Sequence, residues 1–258
     1  GLQTGVTIGT SGTLAATNPS RIQAETILIN IVSSGTGTKG DPYIVQDRSF
    51  DGGAGNFALW LDDPDATYHV KFVNCVFFDG AQNAFRANLP TTVELENCEV
   101  YNTVANAYAI RIDDGDVYLD RVEISGAQEF AVINVTGGAL FHLRNVHFNT
   151  DNSDYEAGTD LILMNSSGTC RLDARYIDFD AGGSANMPDS AVSLYSAADG
   201  SSVQDFIVKD CASGIIDDTF SGPNTTDNIV IRNFDIKDPT ADAIRLSNGS
   251  GMIGKGEC

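Results

Sequence analysis

The amino-acid sequence predicts an all-β solenoid, a stack of coils whose short strands pair in parallel from one coil to the next. The first observation is a segment that recurs roughly every 23 to 30 residues. Its copies carry apolar residues at alternating positions, which indicates strands with one buried face. The copies lie at residues 72–77, 95–100, 119–124, 143–148, 174–179, 208–213 and 231–236.

A second apolar strand follows each copy after a polar turn. Two or three strands in a repeat of this length leave no room for a crossover helix, so successive coils are expected to pair in parallel about 4.8 Å apart. We therefore predict a parallel β-helix of about eight coils over residues 26–258. The second strands begin at Ala58, Ala84, Ala109, Ala131, Leu161, Ala191, Ile215 and Ala243.

Residues 1–25 lack the repeat and are rich in Gly, Thr, Ser and Ala. A solenoid needs a cap over its open end, because unpaired strand edges invite association with other chains. The segment is therefore expected to be an N-terminal cap or an attachment arm, and the sequence leaves both open.

The repeat resembles the right-handed parallel β-helices of the pectate-lyase-like superfamily over roughly residues 26–250. Residues 35–45, with their Gly-Thr and Asp-Pro-Tyr pattern, resemble the opening of secreted β-helix repeat proteins, many of them archaeal. The resemblance implies the fold but no single activity, because this scaffold is shared by lyases, hydrolases, epimerases, adhesins and viral tail spikes.

The formal net charge of −20 argues against nucleic acid and anionic membrane surfaces as partners. The imbalance comes from 27 Asp against 8 Glu, with only 5 Lys and 10 Arg. Such a surface suits a halophilic or marine protein, and it suits an ordinary acidic extracellular protein equally well. No apolar stretch is long enough to predict a membrane span.

The cysteines are expected to be core thiols. Cys75, Cys98 and Cys211 are aligned with Val, Ile or Phe in the other coils, so the position is interpreted as buried. The residue before it is expected to form an amide ladder at a bend. It is Asn in four of the seven copies, at Asn74, Asn97, Asn145 and Asn233.

The alternation also predicts an outward row on the second strands. Aromatic faces and planar polar groups suit sugars, so one end of this row is a candidate glycan site. A purely structural stack of Trp60 on Arg86, with Arg111 paired to Asp113, is the competing interpretation. The predicted ligand-binding residues are Trp60, Arg86, Asn88, Arg111 and Asp113. The whole outward row consists of Trp60, Arg86, Arg111, Ile133, Leu163, Ser193, Asp217 and Arg245.

Ile133, Val135 and Leu163 are predicted to face outward in the middle of this face. An exposed apolar patch usually binds a partner or lies under a loop. Two explanations stay open: a subunit interface, with a homotrimer in view, or cover by the connectors at residues 149–160 and 180–189.

Asp62, Arg86, Arg111 and Asp113 are the candidate catalytic residues if the protein is an enzyme. Glycoside hydrolysis needs two facing carboxylates, and the resemblance implies an Arg base for a lyase. The motifs of those enzymes are otherwise missing, so no catalytic site is expected. No metal site is expected either; Ca²⁺ on Asp62, Asp63, Asp113 and Asp114 is the weaker alternative.

The sequence therefore favours a non-catalytic protein of the cell surface, the virion or the extracellular space. It is expected to work as a spike, decoration or adhesin that binds a glycan or receptor through the exposed sheet face. It is also expected to form a homo-oligomer or to attach to a larger assembly. The alternative is a polysaccharide lyase or glycoside hydrolase acting on an acidic polysaccharide, and a fragment of a larger secreted protein is a third interpretation.

Overall fold

The computed structural model shows a parallel β-solenoid of right-handed type, which confirms the predicted fold class. Its coils differ slightly in number from the eight predicted. The structure describes residues 15–17, 21–53, 57–101, 108–125, 131–136, 140–149, 160–165, 170–180, 189–195, 200–209, 211–217, 227–237, 239–246, 250–254 and 256–257.

The first half of the chain contains the single short helix of the described residues, α1 (Glu25–Leu28), directly after two short strands. The strands up to the middle of the chain are β1 (Ala15–Thr17), β2 (Arg21–Ile22), β3 (Tyr43–Gln46), β4 (Arg48–Asp51), β5 (Phe57–Asp62), β6 (Val70–Val73), β7 (Val76–Phe78), β8 (Asn83–Glu96), β9 (Glu99–Tyr101), β10 (Tyr108–Asp120) and β11 (Glu123–Ser125).

The second half is strand and connector throughout its described residues. Its strands are β12 (Ala131–Val135), β13 (Leu140–Asn149), β14 (Asp160–Asn165), β15 (Arg171–Asp180), β16 (Ser190–Tyr195), β17 (Ser202–Lys209), β18 (Ser213–Asp217), β19 (Asp227–Lys237), β20 (Ile244–Leu246), β21 (Ser250–Ile253) and β22 (Gly256–Glu257). No helix among the described residues is long and apolar enough to cross a membrane.

The strands stack in parallel ladders. One ladder runs β2, β5, β8, β10, β12, β14, β16, β18 and β20, and it contains the predicted second strands. Another runs β3, β6, β8, β10, β13, β15, β17, β19 and β21. Strands β8 and β10 are long enough to belong to both. Residues 1–25 already contain paired strands, because β1 pairs with β4 and β2 with β5.

The bends that the Asn pattern indicated are each made by one residue with a left-handed backbone conformation. L-residues avoid positive φ, and Asn and Asp tolerate it best because their short side chains hydrogen-bond locally. At three bends the Asn amide donates to a carboxylate one coil earlier: Asn74 to Asp47, Asn145 to Asp120 and Asn233 to Asp205. The bend residues are Asp47, Asn74, Asn97, Arg121, Asn145, Tyr176, Asp205 and Asn233, with φ from 49° to 59°.

The repeat copy predicted at residues 208–213 is wrong by five positions. Phe206 pairs with Ile177 and Phe234, so the copy begins at Val203 and its bend residue is Asp205. Asp210, which the sequence placed at that bend, lies outside the described residues. Val208-Lys-Asp-Cys211 matches the repeat motif, but Phe206, two residues before Val208 in the same strand, is the residue that aligns with Ile177 and is buried in the core.

The core fills the solenoid with stacked apolar side chains. Phe50 lies flat against Phe77 with ring centroids 5.0 Å apart, and Phe148 stacks on Phe179 at 4.8 Å. Cys75, Cys98, Cys170 and Cys211 are buried thiols without disulfides, as predicted for Cys75 and Cys98. Cys211 is nevertheless not in the column that Cys75 and Cys98 occupy, and Cys258 lies outside the described residues.

Candidate functional site

Four side chains in successive coils form what we call the arginine row: Arg21, Trp60, Arg86 and Arg111. Trp60 is in register with Arg21 on one side and Arg86 on the other, and Arg86 is in register with Arg111. The outward direction predicted for Trp60, Arg86 and Arg111 is thus observed. Arg21 was missed, because it lies in the segment assigned to a cap or arm.

Trp60 is enclosed by its neighbours. The guanidinium carbon of Arg21 lies 4.0 Å from the centre of the indole, and that of Arg86 lies 4.4 Å from it. Phe57 packs beside the indole, with ring centroids 4.6 Å apart. Because the two arginines belong to the coils on either side, they cover both faces of the ring. Trp60 therefore takes part in a structural cation–π stack, which was the competing interpretation, and neither face of its indole is open to a sugar.

Asp113 holds two arginines of the row. Its Oδ2 accepts a 2.5 Å hydrogen bond from Nε of Arg86, and its Oδ1 accepts a 2.8 Å bond from Nε of Arg111. Thr136 Oγ1 adds a third bond at 3.0 Å. Burial alone would raise the pKa of Asp113, but the hydrogen bonds and charges of Arg111 and Arg86 outweigh it and lower that pKa. The carboxylate is a fixed anion.

Asp62 has the same role near the start of the row. It accepts 2.9 Å hydrogen bonds from Nε of Arg21 and from Nδ2 of Asn88. Burial again works to raise its pKa, and the bonds from Arg21 and Asn88 bring that pKa below the ordinary value. A glycosidase acid needs a raised pKa, which neither Asp62 nor Asp113 has.

A bulge separates Asp113 from the register of the sheet. Asn88 pairs with Asp62 on one side and with Asp114 on the other, and the register shifts between Ile112 and Asp114. Asp113 is thus the extra residue, which lets its carboxylate reach back to Arg86.

The predicted calcium residues do not converge on one another. Asp114 Oδ1 accepts a bond from the amide of Gly115, while Asp62 and Asp113 are bonded to arginines. Across the described residues, no three or more His, Cys, Asp or Glu side chains are grouped so that they could hold a metal ion.

The apolar outward patch predicted in the middle of the row is wrong. Ile133 pairs with Ile110, and both Ile133 and Val135 have no exposed surface. The residue in register with Arg111 is Asn134, one position later. Because side chains alternate along a strand, a slip of one residue turns the whole strand over.

Leu163 does face outward, in register with Asn134 and Ser193. All three are buried within the single chain. Most of the connectors at residues 149–160 and 180–189 lie outside the described residues. The predicted outward row is also off by one residue near its end. Ile216, rather than Asp217, is in register with Ser193 and Arg245.

A buried polar group lies next to these covered residues, and the sequence analysis did not find it. Asp160 Oδ1 accepts a 2.5 Å bond from Ser190 Oγ, and both side chains are buried. Burial raises the pKa of Asp160 to about 7, while the bond from Ser190 opposes the rise. Its signal in sequence was an Asp at the first position of a strand, aligned with Ser190 and Ser213.

Comparison with known proteins finds no family model, no curated protein and no solved structure that this chain matches.

Proposed function

We propose that the protein is a non-catalytic extracellular, cell-surface or virion-surface protein of the pectate-lyase-like kind that binds a glycan through the arginine row. The observation that carries the proposal is the way Asp113 holds Arg86 and Arg111. Each arginine donates from Nε to Asp113, and the contacts of the described residues include no hydrogen bond from the terminal nitrogens of either one. The side chains remain 19% and 33% exposed.

Guanidinium groups fixed in this way suit a glycan that carries carboxylates. Their terminal N–H groups form a planar fork that can bind a carboxylate or two hydroxyl oxygens. Three arginines of the row stand beside three carboxylates, Asp62, Asp113 and Asp114, so the positive charges of a strongly acidic protein are concentrated here. The fixed geometry also lowers the entropy lost on binding.

The same contacts argue against catalysis at the row. The two carboxylates of the row have lowered pKa values, so neither supplies a proton near neutral pH.

Calorimetric titration with polygalacturonate oligosaccharides, and with uncharged dextran oligosaccharides, tests the proposal. We expect the uronate ligand to bind and Arg111→Gln to weaken binding. Arg245→Gln is the matched control, because Arg245 belongs to the same ladder at its far end. Equal affinity in wild type and Arg111→Gln would overturn the role of the row.

An activity assay addresses the enzyme alternative directly. Unsaturated products and new reducing ends are followed in ultraviolet absorbance and by a reducing-sugar assay during incubation with the same polysaccharides. We expect neither. If the wild type forms product and Arg111→Ala does not, the protein is a lyase or hydrolase and the non-catalytic proposal is wrong.

A further inference from the structure

The arginine row continues into an amide side chain whose oxygen has no hydrogen-bond donor. Asn134 is in register with Arg111 in the coil before it and with Leu163 in the coil after it. The residue is 6% exposed. Its Oδ1 is buried, and among the described residues no group donates a hydrogen bond to that atom. Because a buried polar atom without a partner lowers the stability of the folded chain, this position points to a role other than packing.

The described side chains that flank Asn134 do not supply the missing donor. Arg111 directs Nε to Asp113 at 2.8 Å. Thr136, two residues further along the chain, donates from Oγ1 to the same carboxylate at 3.0 Å. Leu163 has no polar atom in its side chain. The amide is therefore bordered by groups that are apolar or already bonded to Asp113.

Packing does not require a polar side chain at this position of the row. Leu163 occupies the equivalent position of the next coil and is buried there. Leucine has the branched shape of asparagine without its polar atoms, so an apolar residue would avoid the cost of an unpartnered amide. A protein that keeps a costly residue in this way usually gains binding or activity from it.

The amide lies one coil away from a guanidinium group that can bind a carboxylate. Neighbouring coils are about 4.8 Å apart, a separation that one sugar ring spans. Arg111 is 33% exposed, and its bond to Asp113 uses Nε and not the terminal nitrogens. An asparagine amide suits a hydroxyl group, because Oδ1 accepts and Nδ2 donates. The last side-chain torsion of asparagine is soft, so either atom can turn toward the exposed edge of the residue.

We propose that Asn134 is a specificity residue of the arginine row, whose amide binds a hydroxyl group of the hexuronate that places its carboxylate on Arg111. The inference rests on the function proposed for the row, and it narrows the ligand from any anionic chain to a hydroxylated one. An acidic polypeptide offers carboxylates without hydroxyl groups, so it would leave the amide unpaired. Sites that contain a buried polar group of this kind reject analogues that lack the matching hydroxyl.

Calorimetric titration of the whole chain with a galacturonate oligosaccharide, and with an oligoglutamate of the same charge, tests the inference. We expect the wild type to bind the oligosaccharide at least about threefold more tightly than the oligoglutamate. Asn134→Leu should weaken oligosaccharide binding about threefold to tenfold, the range of one hydrogen bond, and leave oligoglutamate binding unchanged. Asn134→Ala should give the same result, which excludes obstruction of the site by leucine.

Urea unfolding of the protein without ligand provides a second measurement. Asn134→Leu is expected to raise the urea midpoint, because it removes an amide that has no partner in the free chain. Asn149→Leu is the matched control outside the row, since the Asn149 amide donates a 3.0 Å bond to Glu123. That variant should not raise the midpoint and should leave both affinities unchanged. A midpoint that fails to rise in Asn134→Leu would overturn the proposal, because the amide would then be satisfied within the chain.

The titrations distinguish failure of this inference from failure of the function on which it rests. If the wild type binds neither ligand, the arginine row does not bind a glycan and both proposals are wrong. If Arg111→Gln weakens oligosaccharide binding and Asn134→Leu does not, the row binds the glycan and only the role of Asn134 is wrong. Equal losses for oligosaccharide and oligoglutamate in Asn134→Leu would also contradict that role, since the amide would not then recognise a hydroxyl group.

Discussion

Arg86 donates a 2.5 Å hydrogen bond from Nε to Oδ2 of Asp113, 27 residues further along the chain. The bond joins two consecutive coils across a bulge in the later one. With Arg111 and Thr136 on its other oxygen, Asp113 ties three coils together at one carboxylate. Asp113 was a candidate catalytic carboxylate in the sequence. In the structure it holds the guanidinium groups of Arg86 and Arg111 in place.

Asp113→Asn is expected to lower the free energy of unfolding at pH 7 by about 1–2 kcal/mol, because it removes a partly buried charge from two arginines. The folded protein lowers the pKa of Asp113, so this stabilisation is complete above the unfolded pKa and disappears as the pH falls through the folded one. Urea unfolding from pH 7 to pH 2 should therefore show the wild type losing its advantage in acid. An advantage that persists at pH 2 would contradict the ionic role.

Asp160→Asn is expected to raise the free energy of unfolding at high pH, whereas Asp113→Asn lowers it. The folded carboxyl has a pKa of about 7 against an ordinary value of 3.8, so the unfolded chain loses this proton first as the pH rises. The wild type should lose stability between about pH 4 and pH 7, and the variant should not. At pH 8 the variant should be more stable by about 1–3 kcal/mol, measured by urea unfolding.

Asp205→Asn is the matched control for that measurement. Burial acts to raise the pKa of Asp205, but hydrogen bonds from Asn233 and Arg175 outweigh it and the pKa is lowered. This variant should be less stable than the wild type at pH 8. If both variants moved in the same direction, burial would not be the cause at Asp160.

Asn145→Ala and Asn145→Gly separate the two roles of a bend residue. Asn145 has φ of 52° and donates a 3.0 Å bond to Asp120. Glycine loses only the bond, at about 1 kcal/mol, while alanine also costs about 1–2 kcal/mol for the left-handed backbone. Chemical denaturation should rank wild type above Asn145→Gly above Asn145→Ala. Equal losses would mean that the backbone conformation contributes nothing.

Gly115→Ala is expected to be severely destabilising, by about 3 kcal/mol or more. Gly115 has φ of 89°, and an added Cβ would lie 1.9 Å from the carbonyl oxygen of Leu89 in the neighbouring coil. Gly200→Ala is the control, since Gly200 has φ of 73° but the nearest atom to its Cβ is 4.0 Å away. It should cost about 1–2 kcal/mol in thermal or urea unfolding. Similar losses in both would exclude the clash as the cause.

The sequence was informative wherever a local pattern repeats. Alternating apolar residues predicted the parallel strands, and Asn at a constant position predicted the bends, because both follow from the steric preferences of single residues. Register was harder. In residues 131–135 both alternating sets of positions contain apolar residues, Ile133 and Val135 in one set and Val132 in the other, so alternation did not decide which set faced the core. The copy at residues 208–213 was misplaced for a different reason, because Val208-Lys-Asp-Cys211 matches the repeat motif five residues after the true copy.

By itself, the sequence determined the solenoid, the outward direction of Trp60, Arg86 and Arg111, and the buried thiols at Cys75 and Cys98. Only the tertiary structure decided that Arg21 and Arg86 enclose the indole of Trp60, that Asp113 bonds back to Arg86, and that Asn134 lies in register with Arg111. Each of these contacts joins residues of different coils, so it depends on the register between coils. That register follows from how all the strands pack around one core, which no single segment encodes.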